Sequence, residues 1–271
     1  MTFVNTIGSC RDTLQREKWC VIRRWHKMGW LLLLPLCLRG AELPPQPKET
    51  APPKIRELKP GEWQVGDIRL SKNNRTISFP ANVNITDGLI EYLLVHETGK
   101  THESMFLTKI PPYHVQVAML LLGAKGVDPS FFSDPPPSGP VSNAELLASE
   151  TPPIPGHPVE ITASWKRHGT NVTHRMETLL FNKKAKQIME NGCWTFSGSV
   201  VWNGAFIAQI EGSIMSIVTD ASCIFNSPHP QRDVDTTWFV REDWLPPEKW
   251  PVTVTVKVLK KTETKPAETR P

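Results

Sequence analysis

The chain has 271 residues, with 31 Lys/Arg against 27 Asp/Glu, a formal net charge of +4 and a sequence pI near 8.8. That surplus is local: seven of the basic and two of the acidic residues lie in residues 1–41, so the remainder carries 24 against 25, a net of −1. The electrostatic footprint of a nucleic-acid or anionic-membrane binder is therefore missing from most of the chain.

Residues 1–41 read as a leader. A basic lead-in (Arg11, Arg16, Lys18, Arg23, Arg24, Lys27) precedes an apolar run from Trp30 to Leu38, and Arg39-Gly40-Ala41 follows. Charged, apolar and small segments in that order are the pattern of a secretory signal. The apolar run is roughly nine residues, against the ~20 that a spanning helix needs. The expectation is export to the periplasm or extracellular space, with no transmembrane domain after signal removal; the alternative is a retained N-terminal membrane anchor. Cys10, Cys20 and Cys37 belong to the leader, which leaves Cys193 and Cys223. Two thiols can pair as one disulfide or stay free and buried. They cannot ligate an iron–sulfur cluster or complete a four-cysteine zinc site.

Residues 42–62 are rich in proline and charge and predict an extended, solvated linker. A single domain is expected over 63–259. Asp67 to Ser71 and Thr76 to Phe79 read as short strands bracketing a Lys72-Asn73-Asn74-Arg75 turn, and Asn82 to Ile85 as a third strand. Leu89 to Thr108 (LIEYLLVHETGKTHESMFLT) reads as a β-hairpin with a polar tip. Pro111-Pro112 suits a helix start, where a missing N–H costs nothing, and Tyr113 to Gly123 predicts a helix buried on most of its surface.

Residues 127–158 hold nine prolines and predict a long loop or inserted arm. Period two returns in Val159 to Trp165, where Val159, Ile161, Ala163 and Trp165 alternate with polar residues. Trp194 to Trp202 and Ala205 to Val218 read as strands broken at the turn dipeptides Asn203-Gly204 and Glu211-Gly212. Val252 to Leu259 is the last strand, and the polar residues 260–271 predict a disordered tail. The expected fold class is α+β, mostly antiparallel β with one principal helix at about 112–123.

The hairpin tip carries the candidate chemistry. A two-residue Gly99-Lys100 turn sets Glu97 opposite His102 and His96 opposite Glu103, with Leu94 facing Met105 and Tyr92 facing Leu107. A five-residue loop makes His96 and His102 direct neighbours. Opposed side chains have Cβ atoms about 4.5–5.5 Å apart, and the shorter loop gives the better apolar pairings. Imidazole beside carboxylate is the material of a divalent-metal site or an acid–base pair. His114, on the first turn of the helix, is a third candidate. Metal ligation by His96, His102 and His114, with Glu103 as general base, would make a metal-dependent hydrolase. The plainer reading is a set of solvated side chains beside a turn.

The segments HETGKTHES, PPYHVQVAMLLLG, WTFSGS and FIAQIEGSI resemble the bacterial YdjY-domain proteins over roughly Trp63 to Leu259. His102, Glu103, Ser104 and His114 are the most specific parts of that resemblance. It implies the domain, draws interest to those positions and brings no activity. Ser104 beside His102 lacks the Gly-x-Ser-x-Gly elbow of a nucleophile. The Trp244 to Trp250 segment, with Pro246-Pro247, fits a surface platform for a protein or envelope partner. The expected function is an exported, non-catalytic binding or structural module whose hairpin tip contacts a ligand or metal. A metal-dependent hydrolase and a periplasmic protein-interaction partner are the alternatives.

Overall fold

A computed structural model describes residues 51–132, 154–227, 229 and 231–260. The leader, the start of the linker, the centre of the proline-rich insertion and the tail from 261 lie outside the described residues. The first strands are β1 (Ile55–Lys59), β2 (Glu62–Val65), β3 (Ile68–Ser71), β4 (Thr76–Val83), β5 (Tyr92–His96) and β6 (Ser104–Thr108), followed by helix α1 (Pro112–Leu121). After the insertion come β7 (His157–Arg167), β8 (Thr170–Arg175), β9 (Leu180–Asn182), β10 (Gln187–Ile188), β11 (Trp194–Phe196), β12 (Val201–Trp202) and β13 (Ala205–Phe206). A short helix α2 (Ile207–Glu211), β14 (Ser213–Ser216), β15 (Phe225–Asn226), β16 (Trp238–Val240) and β17 (Pro251–Val258) complete the order.

Eight of these strands close on themselves in the order β4-β17-β7-β11-β15-β14-β5-β6, with β6 returning to β4 through Asn82 opposite Leu107 and Val83 opposite Phe106. The longest staves are the ones with strict alternation. Val252, Val254, Val256 and Val258 of β17, Val159, Ile161, Ala163 and Trp165 of β7, and Ile77, Phe79, Ala81 and Val83 of β4 are all buried. A side-chain period of two sends each set to one face, and closing the sheet makes that face the interior. Phe106, Trp194, Phe196 and Phe225 add large fully buried rings to the same core.

This barrel overturns the α+β expectation. Strand makes up 42% of the described residues and helix of every kind 15%, and α1 is their only helix of seven or more residues. The helix itself stands where the sequence placed it, but it is half-buried rather than mostly buried: Val115, Ala118 and Met119 face inward while Leu120 and Leu121 are exposed. A closed barrel packs its inner face with its own side chains and needs no helical layer to cover it. Among the described residues no helix is long and apolar enough to cross a membrane.

Two further differences have local causes. Pro80 lies inside β4, where the sequence reading ended a strand. One edge of β4 pairs with β3 as far as Ser78 and with β6 from Asn82, so the missing N–H falls in the gap between partners. β1 forms within the expected linker although all five of its residues are exposed; its antiparallel pairing with β2 holds it there. Farther on, Ile207–Glu211 is helical rather than extended, and Gly212, at φ 71°, is its left-handed cap instead of a hairpin residue.

Candidate functional site

The expected hairpin at Leu89 to Thr108 is a parallel pair. Tyr92 stands opposite Ser104, Leu94 opposite Phe106 and His96 opposite Thr108. Residues 97–103 must therefore run back along the strands, a shorter return than the dozen or more residues usual for parallel neighbours. β14 and β15 repeat the arrangement, parallel with Met215 opposite Phe225, through residues 217–224. The two returns flank the antiparallel pair β5–β14. Gly99 serves close approach here rather than a tight turn, since a Cβ on it would lie 2.9 Å from the Glu211 carbonyl oxygen. A Cβ on Gly212 would sit 2.8 Å from the Gly99 backbone.

A polar seam joins the two returns. Lys100 Nζ donates to Tyr92 Oη at 2.6 Å, and Tyr92 Oη donates to Asp220 Oδ2 at 2.8 Å. Asp220 also accepts from the Ser222 N–H at 2.8 Å, and its own N–H donates to Asn226 Oδ1. Burial, followed by the Asp220 carboxylate, pushes the Tyr92 phenol far above its ordinary pKa, and burial does the same to the enclosed Cys223 thiol. Ser104 is fully buried and donates to the Lys100 carbonyl, while Asn84 Nδ2 donates to the carbonyls of Thr101 and Ser104. Ser104 thus fastens the return and is no exposed nucleophile. Cys223 and the exposed Cys193 are both free.

The sequence candidates are distributed around this element. His102 Nε2 lies 3.7 Å from Glu103 Oε2, with the two side chains 80% and 22% exposed. Such a solvated pair contributes about 0–1 kcal/mol. His96 belongs to the opposite end of the β5–β6 pair, about 13 Å away at the strand rise. Its Nδ1 contacts Thr98 Oγ1 at 2.8 Å, and burial lowers its pKa. His114 sits under the β2–β3 turn, its Nδ1 2.7 Å from where a Cβ on Gly66 would be, and its Nε2 3.2 Å from the Ala51 carbonyl oxygen. Only His102 and Glu103 are brought together. Among the described residues no group of three or more His, Cys, Asp or Glu side chains is placed to hold a metal ion.

A different place combines open space with chemistry. β7 pairs with β17 along one edge; along the other it pairs with β11 at its start and with β8 from Thr162 onward. β8 lies outside the ring, so the β7–β8 hairpin projects from the barrel end. Its two-residue turn, His168-Gly169, has φ of 50° and 80°, as a type I′ turn requires. Between this hairpin and the Leu245 to Trp250 segment is a cavity of about 290 Å³. Trp165, Trp244, Leu245, Pro246, Pro247 and Trp250 form its apolar walls, Lys166, Arg167 and His168 supply its polar ones, and no carboxylate lines it.

The wall is reinforced from behind. His174 of β8 stacks on Trp165 with centroids 4.8 Å apart and meets Trp244 edge-on at 5.3 Å. The Arg241 guanidinium lies 3.8 Å over the Trp244 ring. His174 Nε2 is buried without a hydrogen-bond partner, and its imidazole is held below the ordinary pKa by burial, then by Arg167 and Arg241. A second cavity of about 190 Å³ over the β4–β6 seam has balanced charges, Glu97 and Glu248 with Lys109 and Lys249. Neither cavity is lined by Tyr92, Lys100, Asp220, His102 or Glu103.

Sequence reasoning found the Trp244 to Trp250 platform but not its cationic wall. The Lys166 to Thr170 run (KRHGT) holds the signal, since a glycine directly after an alternating strand marks a turn. The family model described as YdjY domain matches residues 68–257. Neither a curated protein nor a solved structure matches the chain.

Proposed function

Because the chain belongs to the YdjY domain family, a membership that brings no reaction with it, we propose that it acts as an exported, non-catalytic binding module. Its ligand contact is the tryptophan-lined groove. The observation that carries this reading is the cavity between the β7–β8 hairpin and Leu245 to Trp250, where apolar ring faces and cationic side chains share one opening. Small-molecule sites combine mostly apolar walls with a few polar groups in this way. The seam at Tyr92, Lys100 and Asp220 is a hydrogen-bonded network that lines neither cavity, so it supports a structural role. Export rests on the charged, apolar and small-residue pattern of residues 1–41.

The test is a titration of the full chain with a panel of neutral and charged saccharides and proline-rich peptides, followed by tryptophan fluorescence. At least one class gives a saturable change that Trp250→Ala removes. Silence across the panel, or an unchanged response in Trp250→Ala, removes the reading. Export is checked separately by fractionating cells that express the chain; the exported species begins near Glu42.

A further inference from the structure

We propose that the groove takes an acidic saccharide, a pyranose bearing a carboxylate, with the sugar ring on Trp250 and Pro247 and the carboxylate against Arg167, which shares the Trp165 face of β7. This rests on the binding-module reading and deepens it by naming the ligand class.

Charge complementarity is the first argument. The chain after the leader is near neutral, yet the cavity lining holds Lys166 and Arg167 and no acid. Arg241 adds a third cation directly behind the wall, over Trp244. Chance placement on a neutral surface would mix signs, as the second cavity does. Arg167 and Arg241 both act on His174 behind the wall, a bound carboxylate offsets their charge, and the guanidinium fork of Arg167 matches its two oxygens.

The shape of the site selects the rest of the ligand. Trp250 is 40% exposed and lines the cavity with Pro246 and Pro247, an apolar wall suited to an apolar ligand face. The C–H face of a pyranose supplies one. At about 290 Å³ the cavity lies at the lower end of the ~300–1,000 Å³ usual for small-molecule sites. It holds a single ring with its substituents, whereas an extended peptide needs a series of pockets. Arg167 pairs with Thr170 in the β7–β8 ladder, on the same strand face as Trp165, so the cation stands on a fixed hairpin and not on a loose loop.

The ring can arrive free or as a unit of an acidic polymer, and the two sources are separable. The full chain is titrated with galacturonate, with an oligogalacturonate and with a neutral galactose oligomer of the same length, reading tryptophan fluorescence. The acidic oligomer binds at least tenfold more tightly than the neutral one, Arg167→Gln weakens it by about tenfold, the scale of one charged hydrogen bond, and raising salt from about 50 to 500 mM weakens it further. Binding of the monomer equal to the oligomer identifies a free ring acid; tighter oligomer binding identifies a polymer. Arg167 is exposed on the hairpin, and an unchanged melting temperature confirms that the variant folds.

Equal affinity for neutral and acidic oligomers, abolished in Trp250→Ala, overturns the acidic-sugar inference and leaves the binding module standing. Failure of both acidic probes to bind at about 10 mM, weaker than any specific recognition, overturns the inference too. So does full affinity in Arg167→Gln.

Discussion

The seam between the two parallel returns and the groove beside the β7–β8 hairpin are both built from aromatic, cationic and hydrogen-bonding side chains, and they differ in where the polar groups point. In the seam, Lys100, Tyr92 and Asp220 satisfy one another. In the groove, Arg167 lines open space with no carboxylate among the lining residues. A buried network that completes itself contributes stability and a fixed geometry; cations left facing a cavity retain their capacity for a ligand. The large upward shifts of Tyr92 and Cys223 thus go with a network that completes itself, and under the proposed function the groove is the region that meets a ligand.

The largest expected effect breaks the seam at its tightest point. Gly212→Val must place a branched side chain at φ 71° and against the Gly99 backbone, so it destabilises the domain by about 3 kcal/mol, read as a lower urea midpoint with unchanged slope. Asp220→Ala leaves the buried Tyr92 hydroxyl without its acceptor and costs about 2 kcal/mol. Groove titrations at a temperature where the variant is folded are unaffected; a change in ligand affinity there shows that the two regions are coupled.

Acid pH compares the regions directly. Burial lowers the pKa of His96 near the seam and of His174 and His229 elsewhere. For a histidine depressed in the folded state, the unfolded chain takes up the proton first, so stability is complete above about pH 6.5 and falls as pH drops toward the folded value. Glu91, raised by burial and then by Glu103 and Asp235, acts oppositely and loses stability as pH rises through its folded value. The melting temperature is lower at pH 5.5 than at 7.5, and His174→Phe flattens that fall. A rise in melting temperature on acidification contradicts the assignment. The smallest effect belongs to His102→Ala: with 80% of its side chain exposed, stability changes by less than about 0.5 kcal/mol. Metal content of protein purified without chelator is also unchanged; a loss of metal in this variant restores a metal role for His102.

What could be read from the sequence follows from how local each signal is. β7 and β17 were legible because Val159 to Trp165 and Val252 to Leu259 alternate strictly, whatever they pair with. α1 was legible from Pro112 and Gly123. The pairing of β5 was not. Two apolar runs this close around Gly99-Lys100 favour a hairpin over a parallel return, which usually takes a dozen or more residues, and the antiparallel neighbour of β5 is β14, where Ser216 stands opposite Tyr92. β1 had no apolar period to show. The tryptophan platform is visible as composition, but the hairpin that carries its cationic wall depends on β8, whose hydrophilic sequence (TNVTHR) hides a strand that packs one imidazole against two indoles.

The position of β17 carries a consequence for how the molecule is made. It is the last strand described, yet it lies between β4 and β7, contributed by opposite sides of the proline-rich insertion. During synthesis seven staves of the ring exist before the eighth, and until Pro251 to Val258 leaves the ribosome both flanking edges are bare over an open apolar interior. Domain completion is thus a single late event, and a chain that stops before Pro251 exposes two ready templates for intermolecular strand pairing. Such fragments aggregate rather than persist as partly folded monomers, and supplying a β17 peptide during refolding keeps them in solution.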